Sequence, residues 1–349
     1  MLAAVFKGIG NIVVEDVPLP DIEEGDLLIK VKMSSICGTD RKIYKYGHRK
    51  IKEGREQILG HEISGVIEAA GSDVSYYEEG MRVVIAPNVG CGHCPACNRG
   101  LEQLCPDYNA FGIGWPGGFA EYLRIPAAVV KKGNVMVLPD KLSFEEAAVI
   151  EPLSCCYNAY QAMDIKAGDS MLIFGAGPMG ILHLILNKYL GIGQTIVADI
   201  DQTRLQISKE MGADHILLND DHLGHKIMEL TAGRGVDNII TAAPVSVIQE
   251  QALELAAVNG NISFFAGLPS GQEEINFNSN TVHYKQLRVT GTTGASLQQF
   301  RRTVKLAESD DLDLKRIVTK KVCLKALEDI FEKPEVFSEN IKIVVDMEH

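Results

Sequence analysis

Six residues constrain the fold more than any other stretch of this 349-residue chain: Gly175-Ala-Gly-Pro-Met-Gly180. Alone, the pattern G-x-G-x-x-G is a weak signal. Here it follows Ser170-Met-Leu-Ile-Phe174, a run apolar enough for a strand buried on both faces, and it opens an apolar stretch that reads as a helix. A turn between such a strand and helix needs glycine. Gly175 permits the tight turn, Gly177 lets a ligand approach the backbone, and Gly180 allows close helix–strand packing. The alternation then repeats. Thr195–Asp199, Val236–Thr241, Asn261–Phe265 and Leu287–Thr290 read as strands, with helices predicted over Arg204–Met211 and Val247–Val258. This layout predicts an α/β unit with a doubly wound parallel sheet.

The same context gives the glycine motif a chemical meaning. In a Rossmann unit of this kind, the helix N-terminus behind Gly177, with Pro178 and Met179 in its first turn, faces a pyrophosphate. Asp199 ends the next strand, 19 residues after Gly180. A carboxylate there accepts both ribose hydroxyls and repels a 2′-phosphate, so NAD is predicted over NADP. Arg204 lies close by in sequence and works the other way. The competing reading is a glycine-rich turn in an unrelated α/β fold.

Residues 1 to about 130 have a different texture. Short strands, Asp26–Met33, Ile63–Ala70 and Met81–Ala86, are punctuated by Pro18, Pro20, Gly25, Gly71 and Gly80, which suggests a small β-barrel-like domain. Ser143 and Glu146 form a capping-box pattern that opens a helix. After residue 295 come a helix over Leu297–Glu308, short strands and a last strand, Ile341–Val345.

Four of the eight cysteines crowd into one loop: Cys91, Cys94, Cys97 and Cys105, spaced C-x2-C-x2-C-x7-C. In a reducing compartment such a cluster is metal-binding rather than disulfide-forming. Four thiolates close a tetrahedral shell around a structural zinc and leave no position for chemistry. An iron–sulfur cluster is the alternative reading. Cys155, Cys156 and Cys323 match no ligand spacing and read as buried small hydrophobes.

The net charge of −12 argues against nucleic acid as a partner. No apolar run approaches the ~20 residues of a membrane span, and the N-terminus does not read as a signal peptide, so a cytoplasmic location is expected. Against this acidic background, residues 41–55 carry Arg41, Lys42, Lys45, Arg49, Lys50, Lys52, Arg55 and His48, with Glu53 the one acid. Such a run is ordinarily a solvated face; the functional alternative is a mouth for an anionic substrate such as a sugar-alcohol phosphate. Phe111, Trp115 and Phe119 are either core residues or a wall of the substrate pocket.

Three further segments complete the set: Cys37-Gly-Thr-Asp40, Gly60-His-Glu62 with Gly65, and Glu151-Pro-Leu-Ser154. Each is ambiguous alone. With the cysteine loop, Gly117-Gly-Phe-Ala-Glu-Tyr122 and the glycine motif, they occur in an order that resembles the medium-chain zinc alcohol dehydrogenases. The resemblance spans essentially the whole chain and is greatest to the sorbitol (polyol) and threonine dehydrogenase branch. It implies a GroES-like β-barrel catalytic domain over residues 1–150 and 295–349, interrupted by a Rossmann NAD-binding domain over 151–294. It also implies a second, catalytic zinc on Cys37 and His61, with Glu62 and Glu151 alternating as ligand or holding the zinc water. Thr39 would pass the hydroxyl proton toward solvent while hydride moves from a secondary alcohol to NAD. A homodimer or homotetramer is expected by analogy. Relatives often carry histidine where this chain has Lys42, which leaves the terminal proton acceptor open and weakens the threonine dehydrogenase reading. L-threonine 3-dehydrogenase, a butanediol-type dehydrogenase and a non-catalytic NAD-binding relative are the alternatives.

Overall fold

The computed structural model describes residues 1–348. The chain forms two compact units. One comprises Met1–Ser154, Ala295–Asp310 and the chain from Leu314 onward; the other comprises Cys155–Gly294 with Asp311–Asp313. The first boundary lies four residues beyond the expected one. The reason is local: the helix Ile150–Ala162 is continuous, and its first turn, with Glu151, stays with the first unit.

In the first unit a seven-stranded sheet runs Val135–Val137, Arg82–Ile85, Glu62–Ala70, Leu27–Ser35, Lys342–Asp346, Val318–Cys323, with Tyr122–Ile125 also paired to Leu27–Ser35. A three-stranded sheet of Asn11–Asp16, Leu2–Gly8 and Gln57–Ile58 accompanies it. Leu27–Ser35 is the hub, pairing with Glu62–Ala70, Tyr122–Ile125 and Lys342–Asp346. Its ladder with Glu62–Ala70 is irregular at Leu28/Ile29 and Val31/Met33. Such bulges bend and twist a strand, curling the sheet. Leu27, Ile29, Ile63, Ile67, Val83, Ile85, Leu123 and Ile125 fill the core inside that curve.

The second unit is a six-stranded parallel sheet in the spatial order His215–Leu218, Gln194–Asp199, Ser170–Phe174, Val236–Thr241, Ala256–Phe264, Arg288–Gly291. Counted along the chain this is 3-2-1-4-5-6, the doubly wound order whose ligand crevice lies outside strands 1 and 4. The helix expected over Val247–Val258 spans Ser246–Leu255 instead, and the strand after it starts at Ala256. Ala256 pairs with Val236, so sheet pairing takes over where periodicity alone would continue the helix. Among the described residues no helix is long and apolar enough to cross a membrane.

Candidate active site

The strand Leu27–Ser35 leads into the helix Gly38–Tyr46, with Cys37 at the N-cap. Asp40, in the first turn, is fully buried. Its Oδ2 accepts from Cys37 N at 2.8 Å, and its Oδ1 accepts from Gly60 N at 3.2 Å. The same Oδ1 lies 3.4 Å from His61 Nδ1. One carboxylate therefore ties together two segments that are remote in sequence. Gly60 has φ +88°, and a Cβ there would stand 2.7 Å from the Phe119 ring, so glycine is required where the chain turns into His61.

Glu62 begins the next strand, opposite Ser35 in register, and is fully buried. The ligand atoms of Cys37, His61 and Glu62 all lie within 4.8 Å of one another. Thiolate, imidazole and carboxylate are a zinc donor set. The electrostatics agree. Burial alone would lower the His61 pKa, but Asp40 and Cys37 outweigh it and hold it well above the usual histidine range. The spot favours positive charge. Thr39 is half-buried on the first turn of the Cys37 helix, and Lys42 is exposed one turn on. Glu151 is buried but stands outside the group of three; it is near enough to push up the pKa values of Glu62 and Lys342.

Lys342 was not anticipated. It sits in the C-terminal strand at 3% exposure, with Nζ 2.7 Å from Glu62 Oε1 and 2.6 Å from Oε2. Ser35 Oγ donates to Glu62 Oε2 and lies 3.0 Å from the Ala148 carbonyl. Burial raises the Glu62 pKa to about 7 despite the opposing pull of Lys342. A lysine in an otherwise apolar strand ordinarily signals a solvent-facing position, and its partner lies 280 residues away.

The cysteine loop forms a second centre. The sulfurs of Cys91, Cys94, Cys97 and Cys105 lie within 4.8 Å of one another, with Cys91 and Cys97 at 4.0 Å. Tetrahedral zinc with thiolates at ~2.3 Å calls for sulfurs about 3.8 Å apart, so the cage has the right size. Cys105 Sγ accepts from Cys91 N at 3.3 Å, and Cys94 Sγ accepts from Cys97 N at 3.4 Å. Backbone N–H groups of His93 and Cys94 help hold the Cys91 thiol down at about 6, whereas burial and its neighbours push Cys97 up to about 12. A Cβ at Gly90 would stand 2.5 Å from Cys97 Sγ, so the loop needs glycine there.

In the second unit, Gly175 has φ +105°, and a Cβ on Gly180 would stand 1.8 Å from the Gly175 carbonyl oxygen. Gly177 caps the helix Pro178–Leu190, with Pro178 and Met179 in its first turn. Asp199 Oδ2 accepts from Ala176 N at 2.6 Å, and its Oδ1 accepts from Asp201 N at 2.9 Å. The carboxylate is thereby locked beside the glycine turn, and it lines a cavity of about 800 Å³ with Gly175, Ile200, Asn219 and Phe277. Arg204 lies beside the same turn, its Nη1 3.4 Å from where a Gly177 Cβ would be.

Comparison with known proteins matches this geometry. Residues 23–139 fit the alcohol dehydrogenase GroES-like domain, and residues 178–309 fit the zinc-binding dehydrogenase domain. The chain is 33% identical over 350 residues to sorbitol dehydrogenase of Bacillus subtilis, covering 99% of this chain and 97% of that one. The chain belongs to the medium-chain zinc-dependent alcohol dehydrogenase family. It is also 35% identical over 329 residues to L-threonine 3-dehydrogenase of Pyrococcus horikoshii, covering 92% of this chain and 91% of that protein. The crystal structure of 2R,3R-butanediol dehydrogenase from Bacillus subtilis superposes with a TM-score of 0.89 at 28% identity, covering 99% of each chain.

In this alcohol dehydrogenase the basic run at 41–55 does not form one positive mouth. The Arg41 guanidinium lies 4.2 Å from the Phe337 ring centre, and Lys50 lies 3.8 Å from that of Tyr108, with its Nζ donating to the Tyr108 carbonyl. Arg49, Lys52 and Arg55 remain around a cavity of about 760 Å³ that also has Lys7, His48 and Glu53 in its wall. Phe111 and Phe119 are core residues, and Trp115 packs on Phe111 at 5.4 Å. Cys156 is buried as expected, whereas Cys155 and Cys323 are half-buried, each held in an element that keeps part of it at the unit's surface.

Proposed function

We propose that this enzyme oxidises a secondary alcohol of a polyol to the ketone with NAD. The observation that carries this is the convergence of half-buried Cys37 with buried His61 and Glu62 beside the Asp40 tie. When bound, zinc there would supply Lewis-acid polarisation of the substrate hydroxyl, and NAD the hydride acceptor. The chain's own residues do the rest. Cys37 and His61 would hold the metal, with a carboxylate from Glu62 or Glu151, while Asp40 accepts from the Cys37 backbone and lies 3.4 Å from the imidazole. Thr39 hands the hydroxyl proton outward along the first turn of its helix. Gly175, Gly177, Pro178, Met179 and Gly180 bring backbone N–H groups to the pyrophosphate, and Asp199 takes the ribose hydroxyls. Arg204, beside Gly177, adds positive charge near the phosphates. Cys91, Cys94, Cys97 and Cys105 would hold a zinc that takes no part in the reaction.

A polyol is favoured over threonine by the near full-length likeness to a sorbitol dehydrogenase and by Lys42. A phosphorylated polyol is the second reading, favoured by Arg49, Lys52 and Arg55 around their cavity. A cysteine cage that binds metal through reduced thiolates suits the reducing cytoplasm. The exposed edge strand Arg288–Gly291, with Val289 open, suits pairing into a homodimer or homotetramer, which light scattering would read.

The deciding experiment follows NAD and NADP reduction with sorbitol, other polyols, their phosphates, L-threonine and 2,3-butanediol. The reading expects the highest kcat/KM for a polyol with NAD. A higher value for L-threonine or butanediol would overturn it, and only one zinc per chain with no turnover of any alcohol would favour a non-catalytic relative.

A further inference from the structure

The cavity beside Asp199 has an open apolar wall. Ile200, Val245, Val247 and Phe277 line it, and all four are exposed. Large apolar side chains left open around one concavity suit a flat ring. One side of the cavity is the helix Ser246–Leu255, which follows the strand Val236–Thr241. Val247, Gln251 and Leu255 stand at i, i+4 and i+8 on it, so they share a face, and all three line the cavity. Gln251 is the polar member of that stripe. Its Oε1 is buried and accepts no hydrogen bond. An acceptor in that state destabilises the protein unless a ligand brings it a donor. The last torsion of a glutamine is soft, so the amide can turn toward a ligand in the cavity at little cost. Its neighbours are already engaged: Glu250 Oε1 accepts from Asn276 N at 2.8 Å, and Glu254 Oε1 accepts from Thr281 Oγ1 at 3.4 Å.

We infer that Gln251 determines which base the dinucleotide carries, accepting from the 6-amino group of adenine and so selecting a 6-aminopurine over a 6-oxopurine. The inference rests on the reading of this cavity as the adenosine site. A ribose held at Asp199 brings its base into the same cavity. The apolar side chains grip either purine, because every base has an apolar face. Discrimination needs a polar group. A glutamine amide pairs with adenine at N6 and N7, its oxygen accepting and its nitrogen donating. A 6-oxopurine offers two acceptors on that edge, N7 and O6. Gln251 Oε1 would then stay orphaned, and O6 would add one more acceptor to a cavity that already carries the carboxylates of Asp221, Glu250 and Glu254.

Fluorescence titration of the reduced nicotinamide reads binding without turnover. The ligands are NADH and its hypoxanthine analogue, reduced nicotinamide hypoxanthine dinucleotide, in which oxygen replaces the 6-amino group. The wild type should bind NADH roughly tenfold tighter or better, the scale on which one such pair discriminates bases. Gln251→Leu, which matches the apolar stripe, should weaken NADH binding by about that factor and leave the analogue within roughly threefold, so the preference disappears. Gln251→Glu, which keeps an acceptor, should retain the preference. A Gln251→Leu protein that keeps the wild-type preference would overturn the inference. If Gln251→Leu does not fold, Gln251→Lys decides. It has donors and no acceptor, so the preference should reverse toward the analogue, whose N7 and O6 both accept, and an unchanged preference for NADH overturns the inference. The wild type separates the two levels. Equal binding of both ligands removes the inference alone, whereas binding of neither removes the adenosine-site reading with it.

Discussion

His183 sits in the middle of the helix Pro178–Leu190, fully buried, with neither ring nitrogen hydrogen-bonded. It lies between Tyr160, at 5.6 Å, and Phe265, at 4.6 Å. Burial pushes its pKa from 6.5 down to about 3. The folded value is the lower one, so the unfolded chain takes up the proton first. Stability is therefore complete above about pH 6.5 and is lost as pH falls toward about 3, at about 1.4 kcal/mol per pH unit. Between about pH 7.5 and about pH 4.5 this single residue costs the folded state roughly 2.5 kcal/mol. His183→Met removes the titration and keeps an apolar contact to both rings through a thioether. It also removes a buried donor and acceptor that have no partner, worth about 1–3 kcal/mol at any pH. The variant should thus be more stable than the wild type at neutral pH, and the gap should widen by roughly 2.5 kcal/mol on acidification. Urea midpoints of the two proteins at matched pH values read the gap, and taking the difference cancels every other titrating group. A gap that does not change between neutral and acid pH would refute the reasoning, because it would mean that the imidazole is hydrogen-bonded or hydrated in the folded state.

Further outcomes follow from other parts of the structure. Asp40→Asn leaves an amide where two backbone N–H groups require an acceptor, and should weaken catalytic zinc binding about 10–100-fold in a chelator competition. Cys94→Ser should remove one zinc per chain by metal analysis and lower the melting temperature; if the cluster were iron–sulfur, the wild type would contain iron instead. Asp199→Ala should raise KM for NAD about tenfold or more while improving use of NADP, because Arg204 remains beside the glycine turn; steady-state kinetics with both cofactors test this.

How much could be read in advance depended on how local each signal was. The cysteine cage was legible because all four ligands lie within one short loop, so spacing alone states the geometry. The parallel sheet was legible because strands buried on both faces leave continuous apolar runs, and the glycine turn sits between one such run and a helix. The switch at Leu255–Ala256 was not, because it is decided by pairing with Val236 from another strand. At the active site, Cys37, His61 and Glu62 could be named from their motifs, and the structure groups them. Asp40 appears in the first motif as one letter among four, and only the fold shows that it spans two segments. Ser35 and Lys342 carry no motif at all. A serine at a strand end and a lysine in a strand look unremarkable until three strands lie side by side.

The place of Lys342–Asp346 in the sheet also fixes an order of events during synthesis. This strand pairs with Leu27–Ser35 on one side and Val318–Cys323 on the other. Val344 is opposite Ser35, so the hub strand waits for a neighbour made 309 residues later. At translation speeds of about 5–20 residues per second that is a delay of roughly 15–60 seconds. Throughout it, the Met33–Ser35 end of one edge lacks its neighbour, the rest of that edge being taken by Tyr122–Ile125, and Glu62 has no Lys342 beside it. The parallel-sheet unit is complete in sequence before that strand is made, by Asp313. The first unit thus completes the pairing of its hub strand only when the last strand is made, and the same strand brings Lys342 to Glu62.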